Sequence, residues 1–286
     1  MLNLSNQNDR TTLEDLISDD INSFCETFYE QGHRNHLGAS ELGEECWRKL
    51  WYGFRWTKLE QFDGRMMRLF NVGHSAEPRF IAYLKGIGFD VKEFDQDGKQ
   101  FRISGAMGHY GGSLDGMCKA PKRYKLETDL ALLLEMKTNN TGKGFSDVET
   151  LPLNKSKPKH FAQMSQYGWH YKLKYGLYVI ENKNDSSLIF KIIELDWNYG
   201  AQLEKKATDI IFAKEPPPRI SENPAMFNCK FCIQNEICHQ GAKPEKNCRS
   251  CRHSEPVENA EWKCNLHNGL IPSEFIKKGC EQWLPI

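Results

Sequence analysis

The stretch ALLLEMKT at residues 131–138 decides the fold predicted for this chain. Three leucines lead directly into Glu135 and Lys137, and so apolar a run is typical of a strand at the centre of a sheet. Residues two apart on a strand share a face, so these two charged side chains point the same way. The segment GSLDG at 112–116 is predicted to lie on an earlier strand, and hairpin pairing can bring Asp115 alongside. The sequence therefore predicts two acids and an amine converging on one sheet.

This trio of side chains suits divalent-metal chemistry. Carboxylate oxygens are the ligands that Mg²⁺ or Mn²⁺ prefers, and such an ion polarises a phosphoryl oxygen and generates hydroxide from its bound water. Lys137 can orient that water or stabilise the developing negative charge. The alternative is a surface cross-strand pair of Glu135 and Lys137, which is commoner for any isolated Glu-x-Lys. The leucines favour burial, where acids are costly unless a metal neutralises them.

Helices and short strands surround this centre in an order typical of an α/β protein. Helices are predicted over residues 11–30, 40–51, 65–85, 158–173 and 199–213, and strands over 89–94, 100–107, 112–118, 131–137, 176–181 and 188–195. Three consecutive prolines at 216–218 interrupt any regular element and mark a boundary. The most apolar strand, 131–136, is placed at the centre of the sheet.

The composition excludes several classes of protein. The 286 residues carry 38 basic and 38 acidic side chains, so the molecule as a whole is no electrostatic clamp for polyanions, and nucleic-acid contacts must use local patches. No apolar run approaches the roughly 18 residues of a membrane span, and no secretory signal opens the chain. A reducing cytoplasm, that of a bacterial host if the chain is phage-encoded, is the expected location, with no membrane partner.

Eight of the ten cysteines fall into two spaced groups, which in a reducing compartment points to metal ligands more than to disulfides. The first group joins a distant thiol to three clustered ones after the prolines, and its members are Cys46, Cys229, Cys232 and Cys238. Thiolates suit either a [4Fe-4S] cluster or zinc, so ligand identity alone does not choose between them. Such a clip ties two distant parts of the chain together.

The second group lies on a polar tail, residues 241–286, which is too small to have much of a core. Its members are Cys248, Cys251, Cys264 and Cys280. We expect a structural zinc ion here, with His253 or His267 as possible replacements for one cysteine; the alternative is a loose tail with free thiols. Cys25 and Cys118 fit neither group and are expected to be small buried hydrophobes.

Several motifs occur in a fixed order between residues 38 and 238. They are ASELG at 39–43 running on to Cys46, Arg48 and Tyr52, then Gly73-His74 with Glu77, then Asp115, then EMK at 135–137, and finally QMSQY at 163–167. Each is weak alone, but their shared order resembles the PD-(D/E)xK nucleases. Within that superfamily the chain is similar to the RecB-like branch, whose iron-sulfur members include the AddB nuclease domain and the CRISPR-adaptation nucleases.

The resemblance implies a restriction-endonuclease-like fold, in which helices flank a mixed central sheet. It implies metal ligation by Glu77, Asp115 and Glu135, with a further ligand from the backbone carbonyl of Met136. Lys137 would act on the attacking water. The resemblance also selects a structural [4Fe-4S] cluster for the first cysteine group.

One departure from the family concerns the first active-site helix. RecB-like members often place a histidine four residues after the motif glycine, whereas this chain has Glu77 there and His74 directly after Gly73. We favour Glu77 as the ligand and His74 as an additional one; an ordinary partly buried histidine is the alternative. Gln163 and Tyr167 are expected to buttress the site and contact the DNA backbone, although simple helix packing would also explain their spacing.

The resulting organisation has three parts. They are an N-terminal helix in residues 1–35, a nuclease domain in 36–240 closed by the first cysteine group, and a zinc-binding tail in 241–286. Two basic patches flank the predicted metal site and would neutralise phosphates. Their members are Lys119, Lys122, Arg123 and Lys125 in the first, and Lys155, Lys157, Lys159 and His160 in the second. Phe145, Phe161 and Trp169 are candidates for stacking on bases.

The expected function is Mg²⁺- or Mn²⁺-dependent hydrolysis of DNA phosphodiester bonds, by an exonuclease acting on ends or single strands in recombination, replication or repair. A CRISPR-adaptation-like trimming enzyme, or a noncatalytic nucleic-acid-binding scaffold stapled by metals, is the alternative. The chain has no GxxxxGK[ST] motif, so unwinding would need a partner such as a helicase or another recombination protein.

Overall fold

A computed structural model of the chain describes residues 3–29, 32–126 and 130–286. The α-helices in these ranges are α1 (Gln7–Phe28), α2 (Trp47–Phe54), α3 (Gly64–Gly86), α4 (Lys143–Thr150), α5 (Leu153–Ser156), α6 (Pro158–Tyr171), α7 (Trp197–Ile211), α8 (Phe227–Lys230), α9 (Asn235–Gln240) and α10 (Ser273–Ile276). The strands are β1 (Leu37–Gly38), β2 (Asp90–Lys92), β3 (Arg102–Gly105), β4 (Tyr110–Ser113), β5 (Gly116–Lys119), β6 (Ala131–Asn139), β7 (Tyr175–Asn182), β8 (Leu188–Glu194), β9 (Ser254–Pro256), β10 (Trp262–Cys264) and β11 (Gly269–Leu270).

The main sheet has five strands in the order β2-β5-β6-β7-β8. Strands β6 and β7 run parallel, and the other neighbours run antiparallel. The parallel pair is joined by the helical connection α4, α5 and α6, as a crossover between parallel strands requires. The mixed sheet flanked by helices and the central place of residues 131–136 are therefore confirmed.

The apolar run in β6 is explained by its two covered faces. Leu132, Leu134 and Met136 pack with the α3 side chains Phe80 and Leu84 on one face. On the other face, Leu133 packs with Met164 and Tyr167 of α6. Glu135 alternates with the leucines and so lies on the α6 face, fully buried. A strand covered on both sides needs apolar residues at nearly every position, which makes the buried acid exceptional.

The single strand predicted over residues 112–118 is wrong. Strand β4 ends at Ser113 and belongs to a second sheet of order β1-β4-β3, whereas β5 begins at Gly116 in the main sheet. The chain changes sheet at Leu114 and Asp115, and Gly116 has φ of 157°, which a side chain would disfavour. Asp115 therefore lies in the connection between two strands instead of within one.

The first two helices also differ from their predicted limits. Helix α2 begins at Trp47, with Cys46 as its N-cap, whereas a helix was expected from residue 40. Helix α1 ends at Phe28, and residue 30 of the predicted helix, like residues 1, 2 and 31 of the N-terminal segment, lies outside the described residues. The apolar stripe of α1 is largely exposed, although the helix packs on α3 through close contact between Gly64 and the backbone of Asn22.

The proline segment and the tail are both attached to α2. Arg48 donates to the carbonyls of Pro217 at 2.5 Å and of Pro216 at 3.4 Å, so the prolines follow the helix surface.

In the tail, strands β9, β10 and β11 form a small antiparallel sheet in the order β11-β10-β9. None of the helices in the described ranges combines the length and the apolar character that a bilayer crossing requires.

Candidate active site

Asp115 and Glu135 meet where β5 begins. The antiparallel register pairs Gly116 with Leu134. Asp115, which precedes Gly116, therefore lies opposite Glu135, which follows Leu134. Oδ2 of Asp115 accepts a hydrogen bond of 2.7 Å from the backbone N–H of Met136. This bond holds the carboxylate against the end of the ladder, with its second oxygen available to a ligand.

Lys137 brings a positive charge between the two acids. Its Nζ lies 2.5 Å from Oε1 of Glu135 and 3.8 Å from Oδ2 of Asp115. The Glu135 side chain is 0% exposed, whereas those of Asp115 and Lys137 keep 13% and 28% of their surface. Glu135 is therefore the buried member of the trio, and the side chains of Asp115 and Lys137 form its accessible rim.

Burial sets the electrostatics of this trio. It raises the pKa of Glu135, and the ammonium of Lys137 works against that shift. Burial also acts to lower the pKa of Lys137, but the charges of Glu135 and Asp115 outweigh it and the net direction is upward. The amine therefore stays protonated beside the buried carboxyl group.

Gln163 and Tyr167 back this trio from α6. Nε2 of Gln163 lies 3.4 Å from Oε2 of Glu135 and 3.4 Å from the Tyr167 hydroxyl. One turn of the helix brings both side chains to the same face, as their spacing predicts. Gly112 makes room for the tyrosine, because a Cβ at that position would lie 2.6 Å from its hydroxyl oxygen.

His74 and Glu77 face the accessible rim from α3. Both line a cavity of about 1050 Å³, together with Met136, Lys137 and Thr138. The pKa of Glu77 is raised, first by burial and then by the charge of Asp115. The two carboxylates are therefore close enough to repel each other, which is the environment a shared cation relieves.

A histidine and a tyrosine complete the site and were not predicted as part of it. Nδ1 of His160 lies 2.8 Å from the hydroxyl of Tyr178, which pairs with Glu135 across the parallel strands. Burial, and then the charges of Lys137 and Lys157, lower the pKa of His160 to about 3, so the ring is neutral. The signal for Tyr178 was its place on the strand beside Glu135; His160 was assigned instead to a basic patch.

The basic patches are only partly free to bind phosphates. Lys159 lies 3.0 Å from Glu44, and Arg123 donates to the carbonyl of Ile87. Among the aromatic candidates, Phe161 stacks on Tyr199 inside the protein. Some of the side chains that the sequence predicted to bind nucleic acid therefore contact other residues of the protein.

The donor chemistry of the acidic trio fits a hard divalent cation. Oε1 of Glu135 receives no well-directed hydrogen bond from the described residues, in spite of the short ion pair with Lys137, and so keeps lone pairs for a metal. Across residues 3–29, 32–126 and 130–286, however, no three His, Cys, Asp or Glu side chains form a group ready to hold a metal ion. A metal would have to draw the donors together.

The first cysteine group gathers around a second, smaller cavity. All four thiols, Cys46, Cys229, Cys232 and Cys238, line it. The pKa of Cys229 is raised by burial and then by the nearby charges of Cys46 and Cys238. The fold therefore brings Cys46, at the start of α2, next to cysteines more than 180 positions later, as shared ligation of one metal centre would require.

The second cysteine group comes from adjoining loops of the tail, because Cys264 lies opposite Ser254 and Gly279, next to Cys280, packs against Asn247, next to Cys248. The pKa of Cys248 is raised by burial and then by the charges of the other three members of the group. Cys251 is buried, and Cys280 is exposed. Cys25 and Cys118 are 5% and 2% exposed, as expected of small buried hydrophobes.

Comparisons with known proteins found structural neighbours only. No family model matches the chain, and no curated protein matches it. The alkaline exonuclease LHK-Exo of Laribacter hongkongensis is 20% identical over 62% of this chain and 87% of that chain, with a TM-score of 0.43. Its complex with dAMP gives 19% identity over 62% and 86%, also at 0.43. The protein SSO0001 is 18% identical over 78% and 96%, at 0.43.

Proposed function

We propose that this protein is a DNA nuclease of the PD-(D/E)xK type, dependent on Mg²⁺ or Mn²⁺, and that it acts as an exonuclease on DNA ends or single strands. One observation carries the proposal. A fully buried glutamate, an ammonium 2.5 Å from it and a second carboxylate 3.8 Å from that ammonium lie together, and the ammonium-bearing Lys137 lines a large cavity with His74 and Glu77. A surface ion pair would need none of this burial.

The proposed roles follow from position. Asp115 and Glu135 would hold the metal with Glu77, and His74 and the Met136 carbonyl would be additional ligands. When bound, the ion supplies Lewis acidity toward the scissile phosphate and a water of lowered pKa. Lys137, at the accessible rim, positions the attacking water and stabilises negative charge on the phosphate oxygens.

Gln163 and Tyr167 would act as positioning residues. Their contacts with each other and with Glu135 restrict the glutamate to one orientation, which matters because a carboxylate free to rotate is a poor metal ligand. Because His160 is neutral, the positive charge in contact with Glu135 is that of Lys137. The phosphate would therefore be drawn to the amine.

DNA is the proposed partner, and the cavity supplies its path. A volume of about 1050 Å³ admits more than one nucleotide, and the aromatic side chains Phe62, Phe70 and Phe231 line it for stacking on bases. We also propose a RecB-like iron-sulfur subtype, in which the first cysteine group would hold a [4Fe-4S] cluster. A cytoplasmic location and a helicase or recombination partner belong to the same proposal.

The test uses DNA labelled separately at each end and incubated with Mn²⁺. Glu135→Gln keeps the shape of the side chain and removes its charge, so we expect the cleavage rate to fall by about a thousandfold or more. The matched control is Glu194→Gln, which changes an exposed glutamate at the end of β8. Equal cleavage by both variants would point to a contaminant, and no cleavage by the parent would favour a noncatalytic DNA-binding scaffold.

The same assay reports the direction of cleavage. Release of single nucleotides from one labelled end first would support an exonuclease, whereas internal fragments that appear together from both ends would support endonucleolytic trimming. The cluster is tested separately, since anaerobically purified protein should absorb broadly near roughly 400 nm. Cys46→Ser should remove that absorbance and reduce folding and DNA binding before the chemistry.

A further inference from the structure

Two arginines are buried where the tail meets the rest of the protein. Arg55, at the C-terminal end of α2, is 4% exposed, and Arg249, between Cys248 and Cys251, is 1% exposed. Neither belongs to the candidate active site. Burial of a guanidinium is costly, so its surroundings must explain it.

Arg249 fills an aromatic sandwich. Its guanidinium carbon lies 4.4 Å from the ring centroids of Phe54 and Trp56 and 4.6 Å from that of Trp262. Nη1 donates to the carbonyl of Asn35 at 3.1 Å, but Nε and Nη2 have no hydrogen-bond partner within the described residues. Stacking and one good hydrogen bond offset only part of the cost of desolvation.

Arg55 also contacts both Trp262 and the tail. It donates to the carbonyl of Cys251 at 3.0 Å and to that of Ser254 at 3.2 Å, and its guanidinium carbon lies 5.2 Å from the ring of Trp262. Both of these hydrogen-bond acceptors are neutral carbonyl oxygens. Burial lowers the pKa of Arg55 to about 10, and the neighbouring Cys251 acts in the opposite direction.

The two cations have no acidic partner. In the part of the chain that the structure describes, no carboxylate forms an ion pair with Arg55 or Arg249. The charge of Arg55 also acts on Arg249, so the two cations repel each other. A buried double positive charge of this kind requires a nearby anion.

The tail cysteines can supply that anion only when they hold a metal. Free thiols are neutral near pH 7, whereas four thiolates around a divalent ion carry a net double negative charge. We propose that Cys248, Cys251, Cys264 and Cys280 bind zinc as four thiolates, and that the charge of this centre balances Arg55 and Arg249. A histidine in place of one cysteine would leave one positive charge unmatched.

This arrangement makes the zinc centre part of the interface between the tail and α2. Cys251 supplies a carbonyl to Arg55 and, in the proposed centre, a thiolate to the zinc ion, so zinc binding and the contact between the tail and α2 share this residue. Strand pairing places Cys264 opposite Ser254, and Gly279 packs against Asn247, so the loops that carry the four thiols adjoin one another. Zinc binding should therefore stabilise the docked tail.

The experiment measures zinc affinity in the full chain by competition with a chelator. Arg249→Met removes the charge and keeps the aromatic sandwich filled, and Arg249→Lys keeps the charge. The matched control, Arg252→Met, changes an exposed arginine of the same loop, which donates to the carbonyl of Pro285. We expect the methionine variant to bind zinc on the order of tenfold more weakly or worse, with the lysine variant closer to the parent.

Equal affinity in the parent and in Arg249→Met, or an equal loss in the methionine and lysine variants, would overturn the charge balance. If Arg249→Met fails to fold, Arg55→Met provides the same comparison. The donor set is tested by metal content. Cys280→Ser should lose zinc and leave iron unchanged, whereas His253→Gln and His267→Gln should retain zinc; the opposite pattern, or a parent without zinc, would contradict the proposal.

Discussion

The protein buries charge in two places, and the two differ in how that charge is balanced. At the candidate active site, Glu135 and Lys137 are in contact at 2.5 Å and Asp115 lies close by, so opposite charges meet directly. At the tail interface, the described contacts of Arg55 and Arg249 are with carbonyls and aromatic rings, and none is an ion pair. The first place has a surplus of acid, and the second has a surplus of base.

The difference shows what each place lacks. The three carboxylates around Lys137 provide oxygen ligands of the kind that a divalent cation prefers. The arginine pair instead needs an anion, which a metal-loaded thiolate group provides and free thiols do not. An uncompensated buried charge therefore indicates a missing component, and its sign indicates which kind.

The largest expected effect concerns the aromatic centre of the tail interface. Trp262 is 2% exposed and packs on Phe54 while also covering both arginines. Trp262→Ala should lower the free energy of unfolding by about 3 to 5 kcal/mol, because it removes a large buried ring and leaves a cavity. Denaturant unfolding of the full chain measures it.

Phe275→Ala, which truncates an aromatic side chain that is 52% exposed in the same tail, is the control and should change stability far less. A loss in Trp262→Ala no greater than that of this control would mean that the tail contributes little to the stability of the whole. Burial of the two arginines at the tail interface would then have little effect on the free energy of unfolding.

An intermediate effect is expected from Gln163, which supports Glu135 from α6. Gln163→Leu removes the donor that lies 3.4 Å from Glu135 and keeps the volume of the side chain. The rate of cleavage should fall by roughly ten- to a hundredfold, with DNA affinity nearly unchanged, as for other residues that orient metal ligands. Gln202→Leu, on the exposed side of α7, should leave the rate unaltered. A weaker DNA affinity at an unchanged maximal rate would place Gln163 in DNA binding instead.

The smallest effect is a pH dependence of stability at the tail interface. His109 is fully buried, its Nε2 lies 2.8 Å from the carbonyl of Val257, and burial lowers its pKa. The unfolded chain binds a proton below about pH 6.5 that the folded chain rejects, so stability should fall as the pH falls through that value. Each group of this kind contributes at most about 1.4 kcal/mol per pH unit.

His109→Gln should flatten this part of the pH profile, measured by thermal unfolding between pH 5 and 8. His267→Gln, which changes an exposed histidine of the same tail, should leave the profile as in the parent. A profile that is identical in the parent and in His109→Gln would show that the ring is protonated without cost, contrary to its burial.

Much of the fold was predictable because its central elements have strong local signals. The apolar run before Glu135 and the regular spacing in α6 identified the middle of the sheet and its covering helix. The switch between sheets at Asp115 was missed, because residues 112–118 read as one strand and only Gly116 marks the break. Asp115, Glu135 and Lys137 were predicted from their places on neighbouring strands, and Glu77 from the resemblance, whereas no local signal placed His160 beside the strand.

The tail interface was not predictable for a different reason. Arg249 contacts rings that lie almost two hundred residues earlier in the chain, and no periodicity links such distant positions. The spacing of the cysteines predicted a metal but gave no information about the charge around it. Only the folded arrangement shows that, among the described residues, no acid forms an ion pair with these two guanidinium groups.

The central claim is that Glu77, Asp115 and Glu135 share a divalent cation beside Lys137. The most direct measurement is the anomalous scattering of crystals of the full chain soaked with Mn²⁺. The account predicts an anomalous peak within coordination distance, about 2.0 to 2.4 Å, of oxygens from at least two of these carboxylates. Absence of that peak in saturating Mn²⁺, with the carboxylates ordered, would contradict it.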